Sequence, residues 1–360
     1  MILTIIAFIL VLGILVIAHE FGHFIAAKKS GVKVEEFAIG FPPRLFSIKR
    51  GETQYSINLF PIGGYVKMLG ELEHSKSSRA FENQSPGKRF IISIAGVVMN
   101  LLLAWLILTI GFAIGMTPII SRPDSIPGKR LSSEIIIADV VKDSPAEKSG
   151  LEQGDVLISG SSGDSKTIFN TNEDLFNFTQ SQMGKEVVVE YERGGSKIEK
   201  TVDVSNNSES PLGVAVINNQ VIRVIWYMAP VVALRETGEI IGATFAFLKN
   251  FATEGFRSKE ASDSVGGPVA IYVYTGLAVQ AGIMVLMQFI ALLSINLALI
   301  NILPFPSLDG GRLLFILLEK IAGRRIVKEK IENIIHTVGF ALLLILIAFI
   351  TYKDILRFVK

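Results

Sequence analysis

The chain has 360 residues, half of them hydrophobic, and a formal net charge of +2. This apolar composition excludes an ordinary soluble enzyme and indicates a membrane protein. The chain has no cysteine, which excludes disulfides and thiolate metal sites, and the small net charge without a basic stripe gives no sign of nucleic-acid binding.

Four stretches are apolar and long enough to cross a bilayer, which takes about 20 residues. We predict a polytopic α-helical membrane protein with spans at 1–27, 90–116, 281–319 and 334–360, the last including a short tail. The third stretch is too long for one straight helix and is broken at Leu303–Gly311 (LPFPSLDGG) by prolines and glycines. Irregular backbone at membrane depth is tolerated only where it is buried in protein or lines a cavity.

Charge predicts the orientation of these spans. Loop 28–89 holds eleven Lys or Arg and six Glu, and the loop at 320–333 is also basic. The positive-inside rule places both loops in the cytoplasm, so the segment 117–227 is expected outside. We interpret 228–280 as an amphipathic region at the membrane surface.

The segment 117–227 is predicted to hold one soluble α+β domain with its core at about 132–217. Two short helices are expected after the N-caps Ser144 and Thr171, each between strand-like patterns. The order strand, helix, strand, helix, hairpin, strand resembles a PDZ domain, which binds an extended peptide or a C-terminus at a sheet edge. Gly213 is the candidate residue of the peptide-binding loop. A spacer domain that binds no peptide is the alternative.

The cytoplasmic loop contains a predicted β-hairpin at 51–69. Apolar and polar side chains alternate from Gln54 to Leu59, and Gly63-Gly64 permits a turn before the second strand. The loop offers this hairpin no core of its own, so we expect it to dock into the membrane domain.

The first span contains the motif His19-Glu20-x-x-His23. Residues i and i+4 share one face of a helix, so both imidazoles can reach one ion, and zinc accepts imidazole nitrogen. Glu20 adjoins the first ligand and can serve as the general base. A chance match is the alternative, but polar groups without partners are costly inside an apolar helix.

Two histidines leave one protein ligand to be found. Asp309 is the sole Asp or Glu between residues 281 and 318, and it falls at the break in the third stretch. A carboxylate there needs a cation, so Asp309 is predicted to complete a site for one zinc ion per chain. We interpret His74 and His336 as solvated or interfacial.

Four motifs together resemble the site-2 protease family of intramembrane zinc metalloproteases, in particular its bacterial RseP (regulator of sigma-E protease) type. They are HEFGH at 19–23, FPIGGYVKM at 60–68, GGPVAI at 266–271 and NILPFPSLDGG at 301–311. The resemblance implies that Asp309 is the third zinc ligand. The residues it assigns to an unwound substrate strand are Asn301, Pro304, Pro306, Gly63 and Gly64.

This resemblance also implies a multi-pass protein of the bacterial inner or plasma membrane. Members cleave single-span proteins, typically an anti-sigma factor, after a first cut outside the membrane, and they also cleave remnant signal peptides. The chain departs from the pattern twice: it has room for one PDZ domain where some members have two, and Val97 stands where a proline is common.

Three functions are open at this point. The leading one is a zinc endopeptidase that cuts transmembrane helices. The second is a membrane-anchored zinc protease that acts on soluble or misfolded proteins at the cytoplasmic face. The third is a non-enzymatic scaffold whose PDZ domain binds partners while the metal stabilises the fold, which leaves Glu20 unexplained because structural zinc sites fill all four positions with protein ligands.

Overall fold

The computed structural model describes residues 2–71, 73–163, 165–206, 210–254, 266–324, 327 and 329–358. The chain divides into two compact units. The membrane unit comprises Met1–Gly111 and Pro230–Lys360, and the inserted unit comprises Phe112–Ala229. Parts of the predicted surface region and basic loop, at 255–265, 325, 326 and 328, lie outside the described residues.

The helices and strands are numbered here in chain order. The helices are α1 (Ile2–Lys29), α2 (Pro86–Ile114), α3 (Pro145–Ser149), α4 (Asn172–Ser181), α5 (Ala229–Glu254), α6 (Pro268–Ala281), α7 (Ile283–Ile302), α8 (Asp309–Ala322) and α9 (Glu329–Phe358). The strands are β1 (Val34–Arg50), β2 (Thr53–Met68), β3 (Lys129–Val140), β4 (Val156–Ser162), β5 (Ser165–Ile168), β6 (Glu186–Arg193), β7 (Ser196–Asp203) and β8 (Val214–Arg223).

Four helices of the described chain are long and apolar enough to cross a membrane: α1, α2, α7 and the part of α9 from Ile334. The third predicted stretch is broken as its sequence suggests, because α7 ends at Ile302 and α8 begins at Asp309. The amphipathic interpretation of 228–280 is wrong for its last part. There α6 (PVAIYVYTGLAVQA) has no charged residue on any face, a pattern typical of a buried helix.

The predicted hairpin at 51–69 is wrong in its pairing. The sheet has β2 continuing through Gly63 and Gly64 without the predicted turn, and both of its halves pair with β1, a strand that the sequence pattern did not reveal. Residues 34–39 of β1 pair with 54–57 on one side and with 64–68 on the other. The chain turns at Gly51, which has φ of +60°. One edge of the resulting sheet is therefore formed by residues 64–68.

This sheet docks onto the C-terminal end of α1, within the membrane unit as expected. Phe24 of α1 lies 5.3 Å from Phe37 of β1 and 6.0 Å from Tyr55 of β2, measured between ring centroids. Ala27 and Val66 are buried in the same apolar cluster. Burial of aromatic side chains dominates such contacts, and here it fixes the edge segment 64–68 beside α1.

In its described residues, the inserted unit forms one antiparallel sheet that carries the short helices α3 and α4. Its strand order is β7-β6-β4-β3-β8, with β5 paired to β4. Thr171 caps α4 through a reciprocal pair of hydrogen bonds with Asp174. Ser144 caps α3 by accepting from the Glu147 N–H at 3.2 Å, but the Glu147 carboxylate accepts from the Asp143 N–H and not from Ser144.

Candidate metal centre

The three predicted metal ligands converge in the membrane unit. His19 and His23 lie one turn apart on α1, both buried, with their Nε2 atoms 3.2 Å apart. Asp309 is the first residue of α8, and its Oδ2 lies 3.0 Å from His19 Nε2 and 3.3 Å from His23 Nε2. The three atoms thus form a nearly equilateral triangle.

This triangle fits zinc. Ligand atoms at about 2.0–2.1 Å from a tetrahedral zinc ion lie about 3.3 Å from one another, close to the three observed separations. The Asp309 Oδ2 is buried and has no hydrogen-bond donor within the described chain. A buried carboxylate oxygen without a donor needs a cation, and two imidazoles with one carboxylate are a donor set that suits zinc.

Hydrogen-bonding partners at Nδ1 orient both imidazole rings so that Nε2 faces the metal position. His23 Nδ1 lies 2.8 Å from the Ile92 carbonyl of α2 and donates its proton there, which leaves Nε2 with a lone pair for the metal. His19 Nδ1 lies 3.4 Å from the side-chain amide of fully buried Asn100. The Oδ1 of this amide is buried and has no partner among the described residues, and a half-turn of the amide brings it onto the Nδ1–H of His19.

A glycine on α2 makes room for the histidines. A Cβ on Gly96 would lie 2.4 Å from His23 Nε2 and 2.6 Å from His19 Cε1. On the facing helix, a Cβ on Gly22 would lie 2.3 Å from the Ala95 carbonyl oxygen. The two helices therefore approach closely at the metal centre. Sequence reasoning missed Gly96 and Asn100, although a Gly-x-x-x-Asn spacing puts both on one face of α2.

Asp309 is presented by a tight turn between α7 and α8. A Cβ on Gly310 would lie 2.1 Å from the Leu303 carbonyl oxygen, and one on Gly311 would lie 2.5 Å from that of Phe305. The two glycines after Asp309 thus let the chain fold back on itself. Pro306 sits inside this turn, and Pro304 is exposed.

A cavity of about 830 Å³ opens onto the metal ligands. Glu20 lines it, and so do Gly63, Gly64 and Asn301. A Cβ on Gly64 would lie 3.5 Å from Glu20 Cγ, so the edge segment 64–68 passes directly beside the candidate base. Asn301 Nδ2 lies 3.4 Å from His19 Nε2.

Three predicted residues do not line this cavity. The lining residues include neither Pro304 nor Pro306. Gly213 belongs to the inserted unit, where its φ is +75° and an added Cβ would lie 2.2 Å from Ser144 Cβ. These residues are therefore not part of the metal centre itself.

The two remaining histidines differ in their surroundings. The His74 side chain is 69% exposed and pairs with Glu82, as the solvated interpretation predicts. His336 is half-buried, lines the cavity and accepts the Ser307 N–H at 2.8 Å, so it is not solvated, and its interfacial placement stays a prediction. The cavity wall also contains an ion pair between Arg312 and Glu71 that sequence reasoning missed.

The geometry agrees with comparisons to known proteins. The family model described as peptidase family M50 matches residues 7–346. The chain belongs to peptidase family M50, the site-2 proteases.

Several relatives of this M50 chain are named as zinc metalloproteases. It is 37% identical to a putative zinc metalloprotease of Clostridium perfringens, with 97% of each chain covered. A putative zinc metalloprotease of Clostridium acetobutylicum is 36% identical over 96% of each chain. The zinc metalloprotease RasP of Shouchella clausii is 30% identical over 98% of each chain. The chain is thus a zinc metalloprotease, and His19, His23 and Asp309 can form its metal site.

Proposed function

We propose that this site-2 protease is an intramembrane endopeptidase that cuts the transmembrane segments of single-span proteins. The observation that carries this proposal is the position of the ligand triangle. Two ligands lie on an apolar span, and the third begins the helix after the break in another. His19 precedes Lys28 by nine residues, about 13 Å along a helix, so the metal lies within the membrane on the cytoplasmic side of its centre.

Each polar group at the cavity has a role in this chemistry. His19, His23 and Asp309 would hold the zinc ion, which would supply an acidified water and a Lewis acid for the scissile carbonyl. The Glu20 carboxylate takes a proton from the attacking water and delivers it to the nitrogen of the leaving strand. Asn301, with its amide beside His19, donates a hydrogen bond to the substrate backbone.

A substrate helix must unwind before its carbonyls can be attacked, and its freed backbone groups then need partners. The edge segment 64–68 pairs with β1 on one side, and its residues Gly64, Tyr65 and Val66 line the cavity. We propose that the unwound substrate adds to this edge as a further strand. Gly63 and Gly64 let its backbone come close to Glu20.

Pro304 and Pro306 act on the enzyme's own chain. Proline cannot continue a helix, so both residues keep α7 from running into α8 and hold the turn that presents Asp309. The substrate contacts first assigned to them fall instead to Asn301 and the edge segment 64–68.

The inserted unit is proposed to be a PDZ-like domain outside the cytoplasm that selects substrates. Its support is a groove of about 400 Å³ between α4 and β8, lined by apolar residues that include Leu175, Leu212 and Val214. An extended peptide or C-terminus can add to the β8 edge there, next to the positive-φ residue Gly213. The substrate class is a single-span protein such as an anti-sigma factor after a first extracytoplasmic cut, together with remnant signal peptides.

The alternative of a protease for soluble proteins at the cytoplasmic face has less support. That function predicts that the third metal ligand lies in a soluble loop, and His74 is the histidine in such a loop. His74 pairs with Glu82 on the protein surface, whereas Asp309 meets the two histidines directly.

Glu20→Gln tests the proposal. The variant keeps the size of the side chain but cannot take the proton, so we expect normal zinc content and no detectable cleavage of a model single-span substrate in proteoliposomes. Glu73→Gln, an identical change at an exposed loop residue, is the control and should cleave normally. Cleavage of a soluble casein but not of the single-span substrate by the wild-type enzyme would favour the alternative.

A further inference from the structure

The turn that presents Asp309 contains a strained residue. The Leu308 N–H donates to the Phe305 carbonyl at 3.2 Å, which closes a four-residue turn. Pro306 occupies its second position, and Ser307, with φ of +77°, occupies its third. This is the pattern of a type II turn, whose third position normally takes glycine because side chains disfavour positive φ. Ser307 therefore needs support from outside the turn.

That support comes from α9. The Ser307 N–H donates to His336 Nδ1 at 2.8 Å. One turn further along α9, Gly339 packs against the same segment, since an added Cβ there would lie 2.4 Å from Pro306 Cβ. The ring of His336 accepts at Nδ1, so its proton is on Nε2, an atom that is buried without a partner in the described chain.

We propose that His336 is a positioning residue for the metal centre. By accepting the Ser307 N–H it holds the third position of the turn at positive φ, and this sets the direction in which Asp309 leaves the turn two residues later. Ligand atoms must lie within about 0.2 Å of their ideal distances from the metal, so a small rotation of the turn is enough to weaken binding. The inference rests on Asp309 being a zinc ligand, as in the proposed function.

Three substitutions separate this role from mere packing. In His336→Asn the side-chain oxygen occupies the place of Nδ1 and can still accept the Ser307 N–H. In His336→Gln the polar end occupies the place of Nε2, and in His336→Leu no acceptor remains. Partners that hydrogen-bond a ligating side chain are worth about 10- to 100-fold in metal affinity, and we take the same range for a residue that holds the turn carrying the ligand. We expect zinc to bind 10- to 100-fold more weakly in the Leu and Gln variants, and within about threefold of wild type in the Asn variant.

Ser307→Gly supplies an independent test, because glycine adopts positive φ without support. Added to His336→Leu, it should recover most of the lost zinc affinity, although by itself it changes little. The measurement is competition for zinc against a chelator on purified, detergent-solubilised full-length protein. Cleavage of a single-span substrate and thermal unfolding are followed in parallel.

The control is His74→Leu, the same change at the exposed histidine, which should bind zinc as wild type does. Wild-type affinity in His336→Leu, equal losses in all three variants, or rescue by Gln instead of Asn would overturn the inference. If His336→Leu fails to fold, the comparison of Asn with Gln still decides. Asp309→Asn separates the role of His336 from the assignment of Asp309 as a zinc ligand, because retention of zinc in this variant would refute that assignment.

Discussion

The close approach of α2 to the two histidines makes Gly96→Ala the sharpest steric test of the metal centre. The added methyl group would lie 2.4 Å from His23 Nε2 and 2.6 Å from His19 Cε1. Non-bonded heavy atoms settle at about 3.5 Å or more, so the histidines or α2 must move by about 1 Å. Neither is free to do so, since His23 is held to α2 by its bond to Ile92.

A movement of this size is several times the roughly 0.2 Å that zinc ligands tolerate. We therefore expect Gly96→Ala to weaken zinc binding by about 100-fold, the upper end of the cost of losing an outer contact. This corresponds to about 2.8 kcal/mol, since each tenfold change is about 1.4 kcal/mol. Cleavage should fall in parallel.

The assay is chelator competition and elemental analysis on the purified variant, with thermal unfolding as a check on folding. Gly13→Ala is the matched control, because Gly13 lies on α1 and an added Cβ meets nothing within 4 Å. Wild-type zinc affinity in a folded Gly96→Ala protein would mean that α2 does not confine the two histidines.

Two further predictions concern the inserted unit. Deleting residues 132–216 and joining the ends with a short linker should leave cleavage intact but relax substrate choice. The reason is that the metal ligands, Glu20 and the cavity all belong to the membrane unit. Complete loss of cleavage by a stably folded deletion variant would count against this prediction. The chain has no cysteine of its own, so single cysteines can report the topology. A cysteine at Ser162 should react with an impermeant thiol reagent in intact spheroplasts, whereas one at Ser78 should react only after permeabilisation. The reverse labelling pattern would show that the predicted orientation is wrong.

The parts of this protein that sequence alone predicts are those with a local signature. His19, Glu20 and His23 form a motif with helical spacing, and the spans are recognised by their length and apolar composition. Asp309 is found because a lone carboxylate in an apolar stretch needs a partner. In each case the cost of an unsatisfied group in lipid leaves few alternatives.

The parts that were missed depend on contacts between distant residues. Strand β1 (VEEFAIGFPPRLFSIKR) lacks a clean alternation because its first half is flanked by β2 on both sides. Gly96 owes its role to His23, which lies 73 residues before it, and His336 owes its role to Ser307, which lies 29 residues before it. Spacing within a single segment carries no information on such neighbours.

The ligand triangle of His19, His23 and Asp309 serves this protease only if one metal ion joins Asp309 to the two histidines of α1. The measurement that tests it most directly is the zinc content of purified Asp309→Asn protein, determined together with its cleavage of a single-span substrate. Asparagine keeps the size but removes the charge, and Asp203→Asn, the same change at an exposed residue of the inserted unit, is the control.

We expect greatly reduced zinc and no detectable cleavage in Asp309→Asn. Asp309→Glu should retain some zinc with poor activity, because the added methylene displaces the carboxylate by about 1.5 Å, far beyond the tolerance of a zinc ligand. Full zinc occupancy with near-normal turnover in Asp309→Asn would contradict the account and place the third ligand elsewhere.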